Sequence, residues 1–331
     1  MTVVIKTRIL KAGPDATATA NEVLRAGGLV AFPTETVYGL GADAGNGEAV
    51  ARLYAAKGRP SFNPLIAHVT DLAAARRLAI FNPAAEALAQ AFWPGPLTLV
   101  LPKREGCPVS DLATAGLDSI ALRVPAHPVA HDILAAFGGA VVAPSANRSG
   151  HVSPTTAAHV QADLDGRIDL LVDGGPTHVG VESTIVACLE TPSLLRPGGI
   201  PRSAVEELLG QPLAVTGETV RPDSDSDVPV APGMLASHYA PKAALRLDAA
   251  AVHEGEALLA FGPELPAGAG KAHTILNLSP HGDLVEAAAH LFSHLRTLDA
   301  SGTRMIAVMP VPHEGLGEAI NDRLLRAAAP R

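Results

Sequence analysis

The sequence predicts an α/β protein of two domains, and three observations carry that prediction. Helix-like and strand-like segments alternate from about Thr17 to Leu209, a stretch without any sustained period runs from Gln211 to Ala240, and a shorter alternation follows it. Such alternation builds a sheet flanked by helices. A chain of 331 residues is long enough to fill a core in each of two domains.

Each element has a local reason. ATANEVLRAGG reads as a helix closed by Gly27 and Gly28, and LVAFP as the buried strand after it. GEAVARLYAAK is the next helix, opened by Asn46 as N-cap and closed at Gly58, with LIAHV as the following strand. Asp71 and the Asn82-Pro83 pair start further helices, because proline suits the first helical position. TLVLP, SIALRV, AVVAP, DLLVD, STIVAC and SLLRP are short Val, Leu and Ile runs that complete a sizeable twisted sheet. Residues 211–241 are rich in Pro, Ser and Asp and read as a linker. Beyond it, ALRLD, ALLAFG, HTILNL and MIAVMPV are strands, while DLVEAAAHLFSHLRTLDA and GEAINDRLLRAA are helices of a second, smaller domain.

Composition narrows the function classes. The apolar fraction is 47% but aromatic residues supply only 3%, so the cores are aliphatic. A net charge of -8 argues against a protein that coats nucleic acid. Two cysteines, Cys107 and Cys188, form neither a disulfide framework nor a CxxC pair, which fits a reducing compartment. No signal-peptide core is evident and no run approaches the ~18 apolar residues of a spanning helix, so the chain is expected to be soluble and cytoplasmic.

Short motifs point to an anionic ligand. Gly39, Gly41 and Gly45 have GxGxxxG spacing, which is not the dinucleotide fingerprint, and no GxxxxGK[ST] is present. PTETVYGLG reads either as a tight turn whose threonine hydroxyls bond their own backbone, or as a pocket wall formed by the Thr34 and Thr36 hydroxyls, Glu35 and the glycine backbone. Lys57 and Arg59 straddle Gly58 just before Pro60, and Asn63-Pro64 stiffens the same segment. A planar guanidinium beside a point-charge ammonium suits phosphate oxygens. APSANRSGHVSPT offers Ser145, Asn147, Ser149 and Ser153 at the end of a strand, with Thr155 read as a helix cap. Glu182 and Ser183 lead into STIVAC, while Arg123 and Arg196 each precede a strand end and a proline. His290 and His294 have a zinc-compatible spacing, but without HExxH or CxxC a solvated helix face is the better account. No GxSxG elbow supports a serine hydrolase.

The blocks PTETVYGLG, KGRPSFNPL, FWPGPLTLVL, IALRVPAHP, APSANRSGHVSPT, VESTIV and LLRPGG, in that order, resemble the YrdC-type threonylcarbamoyl-adenylate synthases. APGMLASHYAPK and GLGEAINDRLLRAA resemble the two-domain members, so the similarity spans nearly the whole chain. The resemblance implies a twisted, open mixed sheet with flanking helices over residues 1–210, a linker and active-site lid over 211–241, and a small Rossmann-like domain over 242–331. It implies a cytoplasmic nucleotidyltransferase that joins L-threonine, bicarbonate or CO2, and ATP into threonylcarbamoyl-AMP with release of pyrophosphate. That product feeds t6A modification of tRNA through a separate threonylcarbamoyl transferase. By motif, Thr36, His68, Arg123, Ala143 and Ser183 would hold threonine. Arg59, Asn63, Ser119, Ser145, Asn147, Ser153, Arg196 and Tyr239 would hold ATP, with Lys57 and Arg59 at the phosphates and Mg2+ brought by the phosphate groups. Ser119 stands where related chains often carry threonine. The lid reading rests on Tyr239 at the far end of the linker. Two other readings are a double-stranded RNA-binding module and the carbamoyl-adenylate chemistry of hydrogenase maturation; the acidic balance and the absence of acylphosphatase and zinc-finger modules weigh against them. Weak RNA affinity would be secondary.

Overall fold

A computed structural model describes residues 6–215 and 239–330. In chain order the N-terminal strands are β1 (Arg8–Lys11), β2 (Val30–Pro33), β3 (Tyr38–Asp43), β4 (Ile66–His68), β5 (Leu97–Pro102), β6 (Ser119–Arg123), β7 (Val141–Val142), β8 (Leu170–Asp173), β9 (Thr184–Ala187), β10 (Ser193–Arg196) and β11 (Ala214–Val215). Among the described residues they form one sheet ordered β1-β8-β2-β3-β7-β4-β6-β5-β9-β10-β11. The sheet is mixed: β4 runs parallel to β6 and β5 to β9, whereas β7 is antiparallel to both β3 and β4.

The helices are α1 (Pro14–Arg25), α2 (Gly47–Lys57), α3 (Leu72–Arg76), α4 (Pro83–Phe92), α5 (Pro128–Phe137), α6 (Ala157–Leu164) and α7 (Arg202–Leu209). Their starts follow the cap chemistry read from sequence. Asn46 accepts from the amides of Glu48 and Ala49, Asp71 from Ala74, and Asn82 from Ala85. Gly58 closes α2 in the left-handed conformation, which turns Arg59 back toward the sheet. The cap of α6 is Thr156, which accepts from His159, and not Thr155 as the sequence suggested.

PTETVYGLG is a turn only in its first part. After Thr36 the chain enters β3, which pairs antiparallel with β2, so Gly39 and Gly41 are strand residues and not part of a phosphate loop. A side chain at Gly41 would start 2.6 Å from the Phe32 ring. Glycine is thus demanded by close packing within the sheet. β1, also unread in the sequence, is an exposed edge strand with charged ends.

A second sheet follows. Strands β12 (Ala244–Arg246), β13 (Ala257–Ala260), β14 (Ile275–Asn277) and β15 (Met305–Val308) lie in the order β12-β15-β13-β14, all parallel, with α8 (Leu284–Ala300) and α9 (Gly317–Ala328) packed on them. Parallel strands joined by crossovers demand this covering. The proposed linker lies mainly at 216–238, outside the described residues, as does its reading as a lid; Ala214 and Val215 pair with β10. Among the described residues no helix is long and apolar enough to cross a membrane.

The two sheets meet across a close interface. A Cβ at Gly180, whose φ is 77°, would collide with the Ala288 carbonyl, so α8 seats directly on the loop before β9. Arg323 of α9 is fully buried and donates to Glu182 Oε2 at 2.8 Å and to the Pro197 carbonyl at 2.9 Å. Nearby, Arg202 pairs with Glu318 and Arg296 with Asp163.

Candidate active site

A cavity opens where β4, β6, β9 and the loop after β7 meet the C-terminal domain. Thr36, Arg59, His68, Arg123, Ala143, Ser145, Ser183, Arg196 and Tyr239 all line it, joined by Val37, Ile66, Pro144 and Glu182. Residues scattered over two hundred positions of sequence therefore share one wall system. Lys57, Asn63, Ser119, Asn147 and Ser153 stand outside that lining.

The parallel pairing of β4 with β6 orders the site. His68 lies opposite Arg123 in register, and Ile66 opposite Ala121. Ser119 therefore falls at the other end of β6, level with the segment Asn63-Pro64 that leads into β4. Four residue steps along the strand separate Ser119 from Arg123, about 13 Å at ~3.3 Å per step. One end is thus marked by an arginine and an imidazole, the other by an amide and a hydroxyl.

Arg123 donates from Nε to the Gly95 carbonyl at 3.3 Å and from Nη2 to Glu35 Oε1 at 2.7 Å. Burial, with Arg123 beside it, holds the His68 imidazole down to about 3, so it is neutral at physiological pH. Its Nδ1 lies 3.2 Å from the Ile66 carbonyl. Thr36 and Thr34 share a hydroxyl contact of 2.8 Å, and Thr34 also donates to the Val37 carbonyl. Both readings of this stretch therefore hold in part: Thr34 builds the turn, and Thr36 lines the cavity. Ser183 Oγ sits 2.7 Å from Thr98 Oγ1 and accepts from Arg196 Nη2 at 3.2 Å.

The opposite side concentrates positive charge. Arg59 donates to the carbonyls of Asn63 and Pro64, which pins its guanidinium to the stiff Pro60–Pro64 segment. Burial lowers Arg59 to about 10, with the Arg196 charge adding to the fall, and burial lowers Arg196 as well, with Arg323 adding to it. Lys57 is buried, and desolvation first, then Arg59, pushes its ammonium well below the ordinary lysine value. Its Nζ donates to the carbonyls of Ser145 and Asn147, which leaves one of its three N–H groups. Lys57 thus stands behind the wall and holds the Ser145-to-Asn147 loop in place. Two buried cations, Lys57 and Arg196, and the half-buried Arg59 together favour an anion.

Two amides add to that demand. Asn63 is fully buried, and neither its Nδ2 nor its Oδ1 has a hydrogen-bond partner; Asn147 Oδ1 is likewise unpaired. Buried polar atoms left so cost free energy that a ligand can recover. Ser153, by contrast, is committed: its hydroxyl donates to Glu182 Oε1 at 2.5 Å. Glu182, not singled out as a site residue from sequence, is the acidic residue of the lining, and Ser153 and Arg323 both hold it. Only its adjacency to Ser183 could have signalled this.

Tyr239 closes the cavity from the C-terminal side. Its backbone has a φ of 64°, its ring stacks on Phe292 at 5.6 Å, and the Arg323 guanidinium lies 5.2 Å from the ring centre. His290 and His294 are not the solvated face expected of them. Their half-buried rings stack at 4.8 Å, and His290 Nδ1 contacts the Leu278 carbonyl at 2.9 Å. Among the described residues no group of three or more His, Cys, Asp or Glu could hold a metal ion.

Residues 22–198 match the family model described as Telomere recombination, and residues 200–329 match the one described as Threonylcarbamoyl-AMP synthase, C-terminal domain. The threonylcarbamoyl-AMP synthase of Bacillus subtilis is 41% identical over 327 residues, covering 95% of this chain and 93% of the relative. That of Pyrococcus abyssi is 43% identical over 329 residues, covering 93% and 92%. The crystal structure of P. abyssi Sua5 complexed with L-threonine superposes with a TM-score of 0.85 at 38% identity, over 99% of this chain and 98% of that one.

Proposed function

The chain belongs to the threonylcarbamoyl-AMP synthase family, and we infer on that premise how its cavity joins threonine, a one-carbon unit and ATP. One observation carries the reading. The cavity lining brings the register pair His68 and Arg123 together with the further cations Arg59 and Arg196, and Lys57 is buried behind it. Arg123 takes the threonine carboxylate through its planar fork. Thr36 and Ser183 face the amino acid with hydroxyls, Ala143 with its carbonyl, and neutral His68 completes the wall without adding charge. The solved relative described as complexed with L-threonine supports an amino acid at this site.

ATP lies along the β4–β6 direction. Asn63 and Ser119 meet the nucleoside, and the unpaired Asn63 amide has the donors and acceptor that a base edge requires. Arg59, Arg196 and the remaining Lys57 N–H face the phosphates, with Ser145 and Asn147 on the loop that Lys57 fixes. Ser153 acts through Glu182, and Tyr239 closes over the nucleotide. Mg2+ arrives with the ATP phosphates, whose oxygens are the donors it prefers.

The chemistry follows from this layout. Threonine's amine, once deprotonated, forms a nitrogen–carbon bond to CO2; a carbamate oxygen then attacks the α-phosphorus, and the bond to pyrophosphate breaks. Bicarbonate as the source adds one water to the products. Such a step needs positioning and charge stabilisation and no covalent protein nucleophile. On this reading a tRNA threonylcarbamoyl transferase consumes the product, and the enzyme works in the cytoplasm. Mass spectrometry after incubation with ATP, L-threonine and bicarbonate tests the reading. AMP-linked threonylcarbamate and pyrophosphate are expected, and their absence overturns it.

A further inference from the structure

Glu35 was a candidate wall residue in the sequence, but it stands behind the cavity and touches Arg123 from the rear. It is held on three sides. Its backbone carbonyl accepts from the Val179 amide at 2.9 Å, Oε2 accepts from the Ala126 amide at 3.1 Å, and Oε1 accepts from Arg123 Nη2 at 2.7 Å. The pair is shielded, with the Glu35 side chain 12% and the Arg123 side chain 5% exposed. A salt bridge so enclosed is expensive to form unless its geometry is fixed, and here backbone groups fix it.

The consequence lies in the guanidinium. Arg123 spends Nε on the Gly95 carbonyl and one Nη2 hydrogen on Glu35. Of its five N–H groups, the two on Nη1 and the second on Nη2 remain, and these form the edge that grips a carboxylate with two parallel bonds. We propose that Glu35 is a positioning residue for the amino-acid carboxylate: by anchoring Arg123 it presents that edge, and no other, to the substrate. The proposal rests on the assignment of Arg123 to threonine. Glu35 touches no substrate atom; it removes the freedom of the group that does.

Steady-state kinetics with each substrate varied in turn tests this, using the full chain and the variants Glu35→Ala and Glu35→Gln. Glu35→Ala frees the guanidinium, so the threonine KM rises by about tenfold or more while the ATP KM stays within about twofold. Glu35→Gln keeps an acceptor for Nη2 and recovers most of the threonine KM. A merely structural role would move both KM values together and lower the melting temperature without rescue by glutamine; that result overturns the proposal. So does an unchanged or lowered threonine KM in Glu35→Ala, which would make Glu35 idle or a competitor for Arg123. The wild-type protein in the same assay separates the two ideas: no product from it defeats the assignment of function, whereas normal wild-type turnover with an unaffected Glu35→Ala defeats only the role of Glu35.

Discussion

The wall of the cavity built on the large sheet and the wall supplied by the C-terminal domain are held by different means. His68 and Arg123 sit on adjacent strands whose ladder fixes them in register, and Ser183 immediately precedes β9. Tyr239 has no such frame. It keeps a left-handed backbone and rests on Phe292 and on Arg323, which in turn is tied to Glu182 and Pro197. The sheet wall is over-determined by backbone bonds, whereas the opposite wall is held largely by side chains, the buried Arg323–Glu182 pair among them. Position for chemistry is set by the ladder, and closure by a few long side chains.

Breaking the weaker wall should have the largest effect. Arg323→Ala leaves the buried Glu182 carboxylate without the cation bonded to it, which should destabilise the fold by about 3–5 kcal/mol. Urea unfolding measures this, and a wild-type midpoint would show that the ion pair does not hold the interface. Replacing both partners, Arg323→Met with Glu182→Gln, should recover part of that loss, because no charge is then stranded.

Arg196→Ala attacks the sheet side, where the backbone stands without it. Adenylation should fall by about 10²- to 10³-fold, as for loss of one group stabilising transition-state charge. The unfolding midpoint should move less than in Arg323→Ala; an equal shift would erase the distinction between the walls.

His68 sharpens the comparison through pH. Its folded value of about 3 lies below the ordinary 6.5, so between those values the unfolded chain binds a proton that the native one refuses. The stability it protects is present above pH 6.5 and is lost as pH falls toward 3. His68→Gln should flatten stability against pH across that window; an unchanged slope would mean that His68 titrates normally. The smallest effect belongs to Asn46→Ala at the start of α2, about 1 kcal/mol in thermal unfolding, since only a local cap is lost.

Much of this was legible before any coordinates. Asn46, Asp71 and Asn82 cap their helices because the groups they satisfy lie two or three residues away. The linked motifs also named nine of the residues that line the cavity, though not Glu182. PTETVYGLG misled because glycine is a poor strand former, while the need for it here arises from Phe32 and Ala143 packing against β3. That Lys57 also holds the Ser145-to-Asn147 loop could not be read locally, because its carbonyl partners lie 88 and 90 positions away. The histidine pair on α8 looked solvated because its spacing cannot reveal that β14 ends beside it.

Sequence by itself determined the alternating α/β order, the helix caps, the left-handed stop at Gly58 and which residue types carry the chemistry, because each depends on neighbours a few bonds away. Only the tertiary structure decided that Glu35 backs Arg123, that Lys57 pins a loop, and that Arg323 reaches 141 positions back to Glu182. Those contacts exist because sheet register and domain packing exclude water around charges that must then find partners, and no local code states which partner that will be.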